Sequence, residues 1–207
     1  NELKIYLSCL LLFIIGLFSD LKILENPKKR FFLQLFALYF LIQFFNFTIP
    51  ISNIQIIDFF LNNNYFNKFF TIFCLMILIN GYNFVDGINT LLIGYNLTIS
   101  LILLIFFKEN LHDVSLLKYF MTIMIILLIF NFNGNLILGD GGSYAIGLFI
   151  GIYLITFAAN NPYLSPFLVI SLIWYPCFEL LFSMIRRFKS RRKMYKPDTN
   201  HYHQLLF

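Results

Sequence analysis

Apolar residues in this chain come in long unbroken runs rather than in the one-sided stripes of a half-wet helix. The runs cover residues 3–19, 31–50, 69–84, 91–107, 119–138, 144–159 and 166–185, with short polar stretches between them. Wound as helices rising about 1.5 Å per residue, they approach the ~30 Å thickness of a hydrocarbon core. The pattern predicts an all-α polytopic transmembrane bundle of about seven spans, with residues 1–207 as a single domain. Residues 51–68 mix Asn62-Asn63-Asn64 with Ile and Phe, which predicts a connection holding a short interfacial helix. Pro176 lies inside the last run and predicts a kink there. The chain starts at Asn1 with its first apolar run beginning at once, and no basic flank or cleavage pattern surrounds that run. Both ends read as cut, so a fragment of a longer membrane protein is expected.

Composition agrees with the pattern. Charged residues make up 12% of the chain, aromatic residues 20%, and 28 residues are Phe. A soluble domain has about 25% charged residues, so a soluble class is excluded and nucleic acid is not an expected partner. Cys9, Cys74 and Cys177 all lie in apolar runs without metal spacing, and read as small buried hydrophobes. The net charge of +5 matters by position. With residues 20–30 placed inside and the spans alternating, Lys22, Lys28, Lys29, Arg30 and the seven basic residues from Arg186 to Lys196 fall inside. Lys4, Lys68, Lys108 and Lys118 fall outside. Eleven against four is a clear positive-inside bias.

The polar clusters all fall on that inner side. Leu136 to Gly147 holds Asp140 between apolar runs, flanked by Gly139, Gly141 and Gly142. A carboxylate at bilayer depth costs about 2.5–3.5 kcal/mol, so Asp140 is expected at a boundary or a polar cavity. Ser143 reads as the N-cap of the next helix. A carboxylate beside bare backbone N–H groups suits a metal–phosphate ligand; a capped turn between helices is the bland alternative. Asn80, Asn83, Asp86 and Asn89 recur every three residues, a stripe that a 3₁₀ end would align. They read as an edge for a base or ribose, with interhelical hydrogen bonding as the alternative. Asp20 ends the first run as a metal ligand, an acceptor-orienting group or an ordinary boundary acid. The tail carries Arg186, Arg187, Arg191, Arg192 and Lys193, then His201 and His203. Its basic run suits anionic lipid heads, Arg187 is a candidate substrate contact, and the two histidines suit a phosphate or a metal.

Gly16…Ser19-Asp20, Asn80…Asn83…Asp86-Gly87, Gly139-Asp140-Gly-Gly142-Ser143 and His201-x-His203, in this order, resemble the polyprenyl-phosphate N-acetylhexosamine-1-phosphate transferases. That family includes the phospho-MurNAc-pentapeptide translocases and the undecaprenyl-phosphate GlcNAc-1-phosphate transferases. The resemblance implies transfer of a sugar-1-phosphate from a UDP-N-acetylhexosamine to undecaprenyl phosphate, with release of UMP. It implies Mg²⁺ as cofactor, membrane lipid as surroundings, and the cytoplasmic face of a bacterial inner membrane as location. A homodimer is left open. Carried over, Asp140 ligates Mg²⁺ and Asp20 is the second carboxylate of an Asp-Asp pair, also toward the metal. Asn80, Asn83, Asp86, Asn89 and Asn131 fall to the nucleotide side, with Ser19, Gly142 and Ser143 as further substrate contacts. Asp20, Asp86, Asp140, His201 and His203 form the implied catalytic set.

The chain departs from the pattern in places. Ser19 stands where the family has the first Asp of the pair. Asn89-Thr90 stands where the translocase branch has Asp-Gly, which points to a divergent member serving O-antigen or another surface polysaccharide. The spacing from Asn131 to Asp140 is one residue short, so Asn131 and Asn133 compete for one role. Two rival expectations remain: a transporter with a carboxylate ion site at the midplane, and a catalytically silent family member, suggested by Ser19.

Overall fold

The computed structural model describes residues 2–87 and 90–189. Among the described residues eight α-helices follow one another: α1 (Glu2–Asp20), α2 (Pro27–Phe45), α3 (Gln55–Leu61), α4 (Asn64–Val85), α5 (Leu91–Phe106), α6 (Val114–Phe132), α7 (Gly139–Asn160) and α8 (Pro166–Lys189). The all-α membrane-helix class is as the apolar runs predict. Among the described residues, five helices are long and apolar enough to cross a membrane: α1, α4, α6, α7 and α8. The expected seven do not all meet that measure. α2 opens with Lys28, Lys29 and Arg30, and α5 has only 16 residues. The short helix expected between the second and third runs is α3.

Side-chain caps fix several starts. Asn26 accepts a hydrogen bond from Lys28 N, and Pro27 opens α2 with its φ already set. Asn63 accepts from Tyr65 N and Phe66 N at the start of α4, and Asp113 accepts from Leu116 N at the start of α6. At the other end of α2, Asn46 takes a left-handed φ of 60° and returns its N–H to Ile42 O.

α7 is the centre. Two-thirds of its apolar window (67%) is buried, against 22% for α1 and 28% for α6 and α8. α1 and α4 pack against it most extensively, and α4 also carries α8. Water does not drive helices together inside a bilayer, so close backbone approach has to supply the attraction. A Cβ on Gly16 of α1 would lie 2.4 Å from the Gly141 Cα of α7, so the two helices touch backbone to backbone there. The outward faces carry Phe36, Phe44, Phe69, Phe132, Ile126 and Phe182, all exposed, as a lipid-facing surface requires.

Pro176 lies within a continuous α8. It has no N–H to give the carbonyl of Leu172, four residues back. The Tyr95 hydroxyl of α5 donates to that carbonyl at 2.6 Å and satisfies it. Gly81 of α4 leaves room for the Pro176 carbonyl, which a Cβ would meet at 2.3 Å.

A Gly16→Val chain should lose about 1–3 kcal/mol from overpacking at the α1–α7 contact. In Gly94→Ala the added methyl meets nothing within 4 Å, and the change should be neutral or stabilising by up to about 1 kcal/mol. Thermal unfolding of both in detergent checks the contrast.

Candidate functional site

The start of α7 is the place to build from. Its first turn presents backbone N–H groups with no partner within the helix, and the residue before it, Leu138, offers no side-chain cap. The cap arrives from another helix. Asp20, the last residue of α1, accepts from Asp140 N through Oδ1 at 2.9 Å and from Gly141 N through Oδ2 at 3.0 Å. A carboxylate there also faces the positive end of the α7 dipole. Gly139 makes the approach feasible. Its φ is +65°, and a Cβ would lie 2.7 Å from Asp20 Oδ2.

This arrangement corrects two expectations. Ser143 is not the N-cap, because α7 already begins at Gly139, four residues earlier. It is fully buried within the helix, and its hydroxyl lies 3.2 Å from Asp140 O and 3.3 Å from Asn83 Oδ1 of α4. The N–H groups of Asp140 and Gly141 are not bare, because Asp20 holds both.

The Asp140 side chain points to α1 and α2. Its Oδ2 receives the Ser19 hydroxyl and pairs with the Arg30 guanidinium, and Arg30 also donates to Ser19 Oγ. One turn further into α7, Tyr144 is buried and interacts with Asp140 and with Gln34 of α2. Asp86 sits just past the end of α4 and accepts from the Gly139 backbone. Burial pushes the Asp86 carboxyl up to about 7; the negative charges of Asp140 and Asp20 add to the rise, and the Gly139 N–H opposes it. Asp20, Asp86 and Asp140 thus converge on the first turn of α7 from three separate parts of the chain.

The amide residues divide between two neighbours. α4 is α-helical through Val85, so no 3₁₀ end aligns the stripe. Asn80 donates to Gln34 Oε1 of α2 at 3.1 Å and to Met76 O, whereas Asn83 meets Ser143 of α7. Asn131 is buried and acts as a loop tie: its Oδ1 accepts from Thr90 N, and its Nδ2 donates to Leu136 O at 2.7 Å. Thr90 has a left-handed φ of 70°, costly for a β-branched residue, and the tie holds it there. The loop after α4 is thereby linked to the segment that leads into Gly139. Asn133 is exposed and bonds within its own helix end, to Ile129 O. Gly142 donates to Leu138 O in the first turn. Arg187 is buried with its guanidinium over the Phe84 ring, 5.3 Å from the centroid, beside Asn83 in sequence. Asn89, His201 and His203 lie outside the described residues.

Arg30, Gln34 and Tyr144 were not among the expected site residues. Arg30 carried a readable signal. Asn26-Pro27 marks a helix start, and three cations in the turn that follows oppose the helix dipole.

Mg²⁺ suits hard oxygen donors and is usually held by one or two carboxylates together with waters and substrate phosphates. Three carboxylates beside the neutral oxygens of Ser19 and Asn83 fit that chemistry. Among the described residues no three of His, Cys, Asp and Glu stand close enough to hold an ion by themselves, which a cation shared with substrate does not require. Asp140, Asp86 and Asp20 are the carboxylates that could hold such an ion.

The sequence model described as glycosyl transferase family 4 matches residues 3–158. The chain is 30% identical over 152 residues to the decaprenyl-phosphate N-acetylglucosaminephosphotransferase of Mycobacterium leprae, covering 62% of this chain and 38% of that protein. It is 31% identical over 152 residues to the enzyme of the same description from Mycolicibacterium smegmatis, 62% of this chain and 37% of the relative. Against the undecaprenyl-phosphate alpha-N-acetylglucosaminyl 1-phosphate transferase of Escherichia coli K12 it is 29% identical over 149 residues, 68% of this chain and 41% of the relative. The chain therefore spans about two fifths of the length of these relatives. No solved structure matches it.

The raised Asp86 pKa sets a direction with pH. An unfolded chain releases this proton near 3.8 and the folded chain near 7. The stabilisation it brings is complete below the first value and is lost as pH rises to the second. The melting temperature in detergent, without divalent ions, should therefore decline across that window, and Asp86→Asn should flatten the decline.

Proposed function

Because this chain belongs to glycosyl transferase family 4, we propose that it is the catalytic part of a polyprenyl-phosphate sugar-1-phosphate transferase. The donor is a UDP-N-acetylhexosamine, the acceptor undecaprenyl or a similar polyprenyl phosphate, and the by-product UMP. A phosphate oxygen of the acceptor attacks the β-phosphorus of the donor. The bond from that phosphorus to the oxygen bridging it to the α-phosphate breaks, and UMP leaves with the electron pair. An acceptor phosphate is largely ionised near neutral pH, so the nucleophile needs little help from a base.

The difficulty is electrostatic, since two anions must meet. Mg²⁺, when bound, supplies the positive charge that lets them approach and steadies the leaving phosphate. The residues of this chain then act by position. Asp140 and Asp86 face the reaction space from α7 and from the end of α4. Asp20 fixes the first turn of α7, and with it the direction of Asp140, and stands as a further metal ligand. Asn83 and Ser143 hold α4 against α7, so the polar edge offered to the nucleotide keeps its register. Arg187, His201 and His203 belong to the basic inner segment that receives the UDP-sugar, on the cytoplasmic face of a bacterial inner membrane.

The observation that carries the reading is the meeting of Asp20, Asp86 and Asp140 at one helix start. They stand at helix ends, not helix middles, which disfavours a midplane ion site of the transporter kind.

The test is a membrane preparation of the full-length protein with labelled UDP-N-acetylglucosamine, undecaprenyl phosphate and Mg²⁺. Labelled lipid and UMP are expected, and Asp140→Asn should lower the rate at least about 100-fold, as loss of a metal-borne charge does. No product with any of several UDP-sugars would refute the reading.

A further inference from the structure

Asp140, the carboxylate put forward above as a metal ligand, already has two donors on its Oδ2. The Ser19 hydroxyl and the Arg30 guanidinium both point at it, and Arg30 binds Ser19 as well. A serine can do this where an aspartate could not: the hydroxyl accepts from Arg30 and passes a hydrogen bond on to Asp140. Local helix physics does not explain Arg30. It sits in the first turn of α2 beside Lys28 and Lys29, with no acidic residue in that turn, at the end of a helix that repels cations. What holds its charge there is the pair with Asp140, from more than a hundred residues away.

We infer that Arg30 is the protein's own cation for this carboxylate site: it holds Asp140 directly and through Ser19 until a divalent ion displaces it, so that ion binding and the Arg30–Asp140 pair exclude one another. The inference rests on the metal reading of the proposed function. Two cations on one carboxylate repel at short range, so occupancy by one weakens the other. The side chain can move without unfolding the helix. Arg30 is 26% exposed, while Asn26 and Pro27 fix the backbone start of α2. A chain with an internal counter-ion keeps Asp140 neutralised when no ion is present. It also binds the ion more weakly than the bare carboxylates would.

The test uses the full-length protein in detergent, with UMP present to supply the phosphate oxygens that the ion shares. Binding of Mn²⁺, as a spin probe for Mg²⁺, is followed by electron paramagnetic resonance. Arg30→Gln should bind Mn²⁺ at least about tenfold more tightly than wild type, whereas Arg30→Lys, which keeps the charge, should stay near wild type. In the wild-type chain, added Mg²⁺ should speed modification of Arg30 by phenylglyoxal severalfold, read by mass spectrometry. That second readout needs no variant to fold. Equal or weaker Mn²⁺ binding by Arg30→Gln, or modification unaffected by Mg²⁺ in a chain that binds Mn²⁺, would overturn the inference and leave the metal reading standing. No Mn²⁺ binding by wild type and Arg30→Gln alike would overturn both.

Discussion

The cap that Asp20 places on α7 is the interaction on which the rest of the site depends. It joins the last residue of one membrane helix to the first turn of another through two backbone hydrogen bonds. The first N–H groups of a helix have no partner within it, and here a carboxylate from α1 answers two of them. Once α1 and α7 are joined, the rest follows by geometry. Gly16 and Gly141 let the backbones touch, Gly139 leaves room for the carboxylate, and Asp140 turns its own side chain toward Ser19 and Arg30. Asp86 comes into range because Gly139, which donates to it, is fixed by the same contact.

The energetics explain why acidic residues gather at a membrane boundary. Each carboxylate has a reason to be there that does not require a ligand: Asp20 caps, Asp140 pairs with Arg30, and Asp86 accepts from the backbone. Yet these groups do not cancel the negative charge. Burial and the two neighbouring carboxylates still raise Asp86 to about 7. A site that keeps such tension in its resting form is suited to receiving a positive ion together with phosphate.

Much of the fold was legible in the sequence because membrane helices announce themselves as uninterrupted apolar runs. The helix pairing was not, because it rests on close approaches at glycines to partners far away in the chain, Gly16 to Gly141 and Gly81 to Pro176, and hydropathy does not register them. The start of α7 was misjudged for a related reason. Ser143 has the chemistry of a cap, but the cap in place comes from Asp20, a partner that local sequence cannot reveal. The Asn80, Asn83 and Asp86 stripe was visible as a spacing, but a three-residue step winds around an α-helix. Asn80 therefore turns to Gln34 of α2 and Asn83 to Ser143 of α7. Asn131, expected on the nucleotide side, also bonds to two loop backbones, which its spacing does not announce. Arg30 was visible only as one more positive-inside charge. Its unfavourable place at a helix start was the available sign of a distant anion.

The central claim is that the end of α1 and the start of α7 are joined, and a cross-link tests this most directly. The protein would carry Ser19→Cys and Asp140→Cys, with Cys9, Cys74 and Cys177 replaced by alanine. The two positions are in side-chain contact, so mild oxidation in membranes should form an intramolecular disulfide, seen as a two-dalton mass loss across the linked peptides. Single-cysteine controls should show none. Failure of the folded double variant to cross-link would mean that the two helix ends lie apart, and would contradict the account.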